Sequence, residues 1–112
     1  MSDYSVKEIE ISIAEAKKHV DKMNSLHKLI KNKDFIKVIT EGYFEHESTR
    51  LVLLKADPNI QDEMNQKRID KSIDSIGYLR QYFNAINQLG QMAENSIHDA
   101  EAAKQELLAE GV

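Results

Sequence analysis

The sequence predicts an all-α fold, an elongated antiparallel helical hairpin or bundle in which two long coiled-coil-like helices flank two short ones. Apolar residues recur at alternating spacings of three and four over two long segments, which is the period of a coiled coil. The 112 residues include one proline and 30% charged residues, a composition typical of long helices. We expect residues 1–112 to form a single helical domain.

The first helix is predicted over residues 3–31. Its apolar seam follows the three-four alternation until position 27, where a histidine replaces the expected apolar residue. The seam residues are Val6, Ile9, Ile13, Ala16, Val20, Met23 and Ile30.

Two short helices are predicted next, over residues 35–41 and 44–56. Asp34 has the side chain of a good N-cap for the first of them. Gly42 suits the C′ position that ends it, because glycine tolerates the left-handed conformation common there. Asp57-Pro58 closes the second, since the residue before a proline avoids the α region.

The fourth helix is predicted over residues 61–110. Its seam changes from large to mostly small residues at Gly90, and Lys104 is the one polar residue that interrupts the alternation after Ile76. The seam residues are Ile69, Ile73, Ile76, Leu79, Phe83, Ile86, Gly90, Ala93, Ile97, Ala100 and Leu107.

A second apolar stripe runs beside this seam, at helical spacing. Its members are Tyr78, Tyr82, Ala85, Leu89 and Met92. Two apolar stripes on one helix imply two neighbours, so the helix is expected to contact something besides its own hairpin or to occupy the centre of a bundle. Self-association into a homo-oligomer is one way to meet this requirement.

Composition argues against several classes of function. The net charge is −4, whereas a direct nucleic-acid binder needs a basic face to replace counterions. The chain has no cysteine, so neither disulfides nor thiolate chemistry is available. The beginning of the sequence has no signal-peptide pattern, and no apolar run approaches a membrane span.

Histidine and acids come together in three places without forming a known site. Glu45-His46-Glu47 are adjacent, and adjacent helical residues point about 100° apart, so they are better read as the charged first turn of a helix. The pairs Glu15/His19 and Glu94/His98 have i, i+4 spacing, whereas helical di-metal sites use Glu-x-x-His. We predict no catalytic, cofactor or metal site; a helical-bundle metalloenzyme is the third of the hypotheses considered.

Two stretches resemble small all-helical proteins encoded among tailed-bacteriophage virion and packaging genes. They read DFIKVITEGYFEHESTRLVLLKADP at residues 34–58 and IDSIGYLRQYFNAINQLGQMAE at residues 73–94. The resemblance implies a phage-encoded, non-enzymatic protein that acts in particle assembly by binding a larger virion protein such as the portal, head or tail.

The resulting hypothesis is a structural or assembly protein of the virion or host cytoplasm that binds partners by helix-face packing. Aromatic and arginine side chains are enriched at binding hot spots. The candidate partner-binding residues are Tyr43, Phe44, Arg50, Tyr78 and Tyr82. The alternative is a small acidic phage inhibitor of a host protein, directed at defence or transcription.

Overall fold

The structure is a computed structural model that describes residues 3–111, with side chains from Ser5 onward. The described residues are almost all helical and include no strand, which confirms the all-α prediction. The helical segments are α1 (Asp3–Leu29), α2 (Lys33–Phe35), the π-helix π1 (Ile36–Glu47), α3 (Ser48–Lys55) and α4 (Glu63–Glu110).

The predicted break between two short helices is wrong, because helical structure continues from α2 through π1 into α3. Gly42 lies inside π1 and does not adopt a positive φ, so it is not a C′ residue. The N-cap is also displaced by two positions. Asn32, rather than Asp34, caps α2, and its side-chain oxygen accepts hydrogen bonds from the backbone N–H groups of Asp34 and Phe35.

The π-helix changes which side chains of this segment share a face. Phe35 and Phe44 are nine residues apart, and both rings lie near Phe83 of α4. In an α-helix two residues nine apart would lie on opposite faces, since each residue turns about 100°. A π-helix has i→i+5 bonding and more residues per turn, so each residue turns less and Phe35 and Phe44 come to the same side of the helix.

Local groups accommodate both the π-helix and its return to α-helix. A Cβ atom at Gly42 would lie 2.9 Å from the carbonyl oxygen of Lys37, five residues earlier, so glycine is required by this close approach. Where π1 meets α3, the hydroxyls of Ser48 and Thr49 donate to the carbonyls of Phe44 and Glu45, at 2.7 and 2.9 Å. These donors satisfy carbonyls at the point where the bonding pattern changes.

The described chain divides into two compact units, and α4 contributes to both. The first consists of Met1–Leu26 and Ala85–Val112, in which α1 packs antiparallel to the second half of α4. The direction is shown by Lys104 Nζ, 3.2 Å from Glu10 Oε1. Its buried apolar residues are Ile13, Met23, Leu26, Ile86 and Ala93.

The second unit is His27–Asn84, in which the continuous helical stretch 33–55 packs against the first half of α4. Its buried core is Leu51, Ile69 and Ile76, covered by partly buried neighbours. Those neighbours are Tyr43, Phe44, Leu54, Ile60 and Ile73. The turn before α4 begins after Lys55, as Asp57-Pro58 predicts.

The predicted seams agree closely with burial. Every seam residue of α4 from Ile69 to Leu107 is buried or half-buried, and Lys104 on the same line is half-buried. On α1 the seam holds from Val6 to Met23. Ile30 is the exception, since α1 ends at Leu29 and the Ile30 side chain is exposed.

Candidate partner-binding site

Five of the seven aromatic residues of the chain form one ring cluster in the second unit. Phe83 of α4 lies at its centre, with ring centroids 6.0 Å from Phe35 and 5.9 Å from Phe44. Tyr43 extends the cluster on one side, 6.0 Å from Phe44, and Tyr82 on the other, 6.2 Å from Phe83. These separations fall within the range of favourable tilted and edge-to-face pairs.

Arg80 closes the ring cluster from the α4 side. Its guanidinium carbon lies 5.5 Å from the centroid of the Phe44 ring, which is cation–π distance. The structure thus gives Arg80 an aromatic partner. The contact holds a positive charge beside the ring cluster while the rest of the side chain remains exposed.

The structure separates the five predicted partner-binding residues into buried and exposed members. Tyr43 and Phe44 are half-buried and pack against the core of the second unit, so their rings hold π1 to α4. Tyr78 and Tyr82 lie one turn apart on α4 with 66% and 51% of their surface exposed. These two exposed rings define the tyrosine face.

One ring of the tyrosine face, that of Tyr82, contacts the ring cluster. Tyr82 contacts Phe83, and Phe83 is in turn held between Phe35 and Phe44. A ring that is held by packing loses little conformational entropy when a partner covers it. Tyr82 is therefore an exposed apolar group in a largely preorganised position.

The stripe that contains the tyrosine face is not covered by the chain itself. Tyr78, Tyr82, Ala85, Leu89 and Met92 are all exposed. Residues 81–93 contain no Asp, Glu, Lys or Arg, although acids and bases are frequent on either side. Loss of charge together with enrichment in tyrosine and methionine is the composition of the central part of a protein interface.

Arg50 belongs to a local ion pair. Its Nε donates to both carboxylate oxygens of Glu47, at 3.1 and 3.2 Å, and a terminal nitrogen also contacts Glu47. The hydrogen bond from Arg50 lowers the pKa of the Glu47 carboxyl, and the same bond raises the pKa of Arg50. Because the Arg50 side chain is 59% exposed and that of Glu47 34%, solvent screens the pair, and it orients Arg50 more than it stabilises the fold.

The environment of Glu45-His46-Glu47 differs from the sequence prediction. We expected these residues in the first turn of a helix, favoured by its dipole, but they lie at the end of π1 where the helix continues into α3. Glu47 is instead stabilised by Arg50. Within residues 3–111 no group of three or more His, Asp or Glu side chains is placed to hold a metal ion.

Sequence reasoning missed the central role of Phe35 and Phe83 and the π-helix that aligns the rings. No local pattern gives this arrangement, because the α-helical period places Phe35 and Phe44 on opposite faces. The sequence prediction ended one helix at Gly42 because glycine suits a C′ position. Only the contacts of both rings with Phe83 show that they share a side of one continuous helical stretch.

The chain matches no protein-family model and has no significant match among curated proteins or solved structures. No helix in the part of the chain that the structure describes is long and apolar enough to cross a membrane.

Proposed function

We propose that this chain is a non-enzymatic, phage-encoded structural or assembly protein that binds a larger virion protein through the tyrosine face of α4. The observation that carries the proposal is the exposure of Tyr78 and Tyr82 on a helix braced by the ring cluster. The phage context comes from the resemblance of residues 34–58 and 73–94 to proteins of virion and packaging genes. The protein would act in the virion or in the host cytoplasm.

The size of the tyrosine face suits the centre of an interface. With 66% and 51% of their surfaces exposed, the two rings offer roughly 230 Å², if a full tyrosine side chain contributes about 200 Å². A standard interface covers about 800 Å² on each partner. Tyr78 and Tyr82 would thus supply over a quarter of it.

Self-association is part of this proposal. In the first unit, Leu89 and Met92 are 47% and 64% exposed on α4, and a second copy of the chain could cover them. Light scattering during size-exclusion chromatography should give at least twice the chain mass of 12.8 kDa. A particle of 12.8 kDa at all concentrations would remove the oligomer from the proposal and leave a monomeric adaptor.

Site-specific photo-crosslinking tests the partner. A photoreactive phenylalanine is placed at Tyr78 or at Tyr82, and at exposed Asn24 of α1 as the control. We expect the two α4 positions, and not the control, to cross-link a protein that mass spectrometry also finds in purified particles. Cross-linking only to host proteins would refute the virion role and favour the inhibitor hypothesis. Equal cross-linking from Asn24 would refute the tyrosine face as the binding surface.

A further inference from the structure

A second surface of the molecule combines apolar and polar groups in a way that the tyrosine face does not. It is a groove of about 290 Å³ in the second unit, between α3 and α4. Leu51, Leu54, Ile60 and Ile69 form its apolar part, and Asn65 and Arg68 contribute polar groups from α4. Leu51 and Ile69 are buried, whereas Leu54 and Ile60 are half-buried, so the latter two present the accessible apolar surface.

Two arginines line this α3–α4 groove, and they differ in their partners. Arg50 is already bound to the carboxylate of Glu47. In the described part of the chain, Arg68 makes no hydrogen bond or ion pair with any acid. The pKa of Asp62 is lowered chiefly by hydrogen bonds from Asn65, and the charge of Arg68 lowers it only slightly further. The guanidinium of Arg68 is thus free to receive a carboxylate in the bidentate geometry that arginine favours.

Asn65 adds a hydrogen-bond acceptor at the same groove. Its side-chain nitrogen donates to Asp62 Oδ1 at 2.8 Å, and its backbone N–H donates to Asp62 Oδ2 at 3.1 Å. These bonds orient the amide group. Among residues 3–111 nothing donates to Asn65 Oδ1, which leaves this oxygen available to accept an N–H from a ligand.

We propose that the α3–α4 groove binds the C-terminal residue of a partner polypeptide that ends in an aliphatic side chain. The terminal carboxylate pairs with Arg68, the last peptide N–H donates to Asn65 Oδ1, and the side chain packs against Leu54 and Ile60. Capture of a chain terminus by a charged and polar pocket is a known mode of peptide recognition. A free fatty acid has the carboxylate and the alkyl chain but no N–H, so Asn65 favours a chain end. This site goes beyond the proposed tyrosine face and does not depend on it.

Methyl-detected NMR titration with N-acetyl-leucine, a mimic of such a chain end, tests the proposal. Two comparison ligands each lack one element: N-acetyl-leucinamide has no carboxylate, and 4-methylpentanoate has no amide N–H. We expect N-acetyl-leucine to shift the methyl signals of Leu54 and Ile60 with a millimolar Kd, and both comparison ligands to bind about tenfold more weakly, the typical effect of one lost polar interaction.

The matched variants are Arg68→Gln and Lys67→Gln, which each remove one positive charge from neighbouring positions. Lys67 is 70% exposed and is paired with Glu63 outside the groove. We expect R68Q to weaken N-acetyl-leucine binding about tenfold and K67Q to leave it within about twofold.

Four outcomes would overturn the proposal. The first is that R68Q and K67Q weaken the binding of N-acetyl-leucine equally. The second is the absence of any methyl shift at about 20 mM N-acetyl-leucine, which is well above a millimolar Kd. The third and fourth are that N-acetyl-leucinamide, or 4-methylpentanoate, binds as tightly as N-acetyl-leucine. The last of these would assign the groove to free aliphatic carboxylates instead. None of these outcomes bears on cross-linking from Tyr78 or Tyr82, so this proposal and the proposed function fail separately.

Discussion

Two glycines of α4 provide a matched test of the packing in the first unit. A Cβ atom built on Gly90 would lie 2.3 Å from Met23 Cβ, 2.5 Å from its Sδ and 2.8 Å from its Cγ. A Cβ atom on Gly77 meets nothing within 4 Å. The same substitution, glycine to alanine, therefore has the same effect on helix propensity at both positions but a different steric effect.

The magnitudes follow from these distances. Alanine gains about 1 kcal/mol over glycine in a helix interior, so Gly77→Ala should stabilise the protein by up to that amount. At Gly90 the contact with Met23 is about 1.2 Å shorter than the closest ordinary carbon–carbon separation of about 3.5 Å. Overpacking of this kind costs about 1–3 kcal/mol, so Gly90→Ala should be neutral or destabilising by up to about 2 kcal/mol.

Urea unfolding followed by circular dichroism measures both variants. Because the propensity gain is common to both, the difference between their free energies of unfolding isolates the cost of contact with Met23, expected at about 1–3 kcal/mol. Repeating Gly90→Ala in a Met23→Ala background should reduce that cost in part, because Sδ and Cγ are removed while Cβ remains. If Gly90→Ala stabilised the protein as much as Gly77→Ala, the close approach of α1 and α4 at this point would be refuted.

Three further predictions concern the second unit. Leu51→Ala removes a side chain that is 3% exposed and should lower the free energy of unfolding in urea by about 2–5 kcal/mol. Val52→Ala, at a position that is 59% exposed, should change that free energy little. Similar losses of stability in the two variants would contradict the assigned core. Gly42→Ala should destabilise the protein despite the better helix propensity of alanine, because its Cβ would lie 2.9 Å from the Lys37 carbonyl oxygen; a gain of about 1 kcal/mol would instead indicate an ordinary α-helix here. In an NMR titration Glu47 should protonate below the usual range for a glutamate, and Arg50→Gln should move its pKa back up. Since the folded-state pKa is lowered, any stabilisation from this pair is present at neutral pH and is lost as the pH falls through that pKa; an unchanged pKa in the variant would contradict the role of Arg50.

The buried faces of α1 and α4 were predictable from sequence because both follow the ordinary coiled-coil period. Ile13, Ile76, Ile86 and Ala93 were all assigned to seams, and all are buried. Such a pattern is local: each seam residue is identified by neighbours three and four positions away, and it does not require knowledge of what lies opposite. Lys104 was recognised as an exception by the same rule, and its partner Glu10 could be found only in the structure.

The candidate site was predictable only in part. Tyr78 and Tyr82 were assigned to an apolar stripe from their spacing, and both are exposed, while their role in binding stays a prediction. Tyr43 and Phe44 have the same residue types, yet they are half-buried in the core of the second unit, because π1 directs them toward α4. Composition and spacing identify aromatic residues, but only the packing of the two helices distinguishes an internal ring from an available one.

The sequence by itself determined that the chain is helical, which face of each long helix is buried, and that the turn before α4 contains Asp57-Pro58. These properties depend on periodicity and on the backbone preferences of single residues. The tertiary structure decided that residues 33–55 continue as one helical stretch through Gly42. The physical reason is that Phe35 and Phe44, nine residues apart, both pack on Phe83 of α4, and this packing outweighs the local preference of glycine to end a helix.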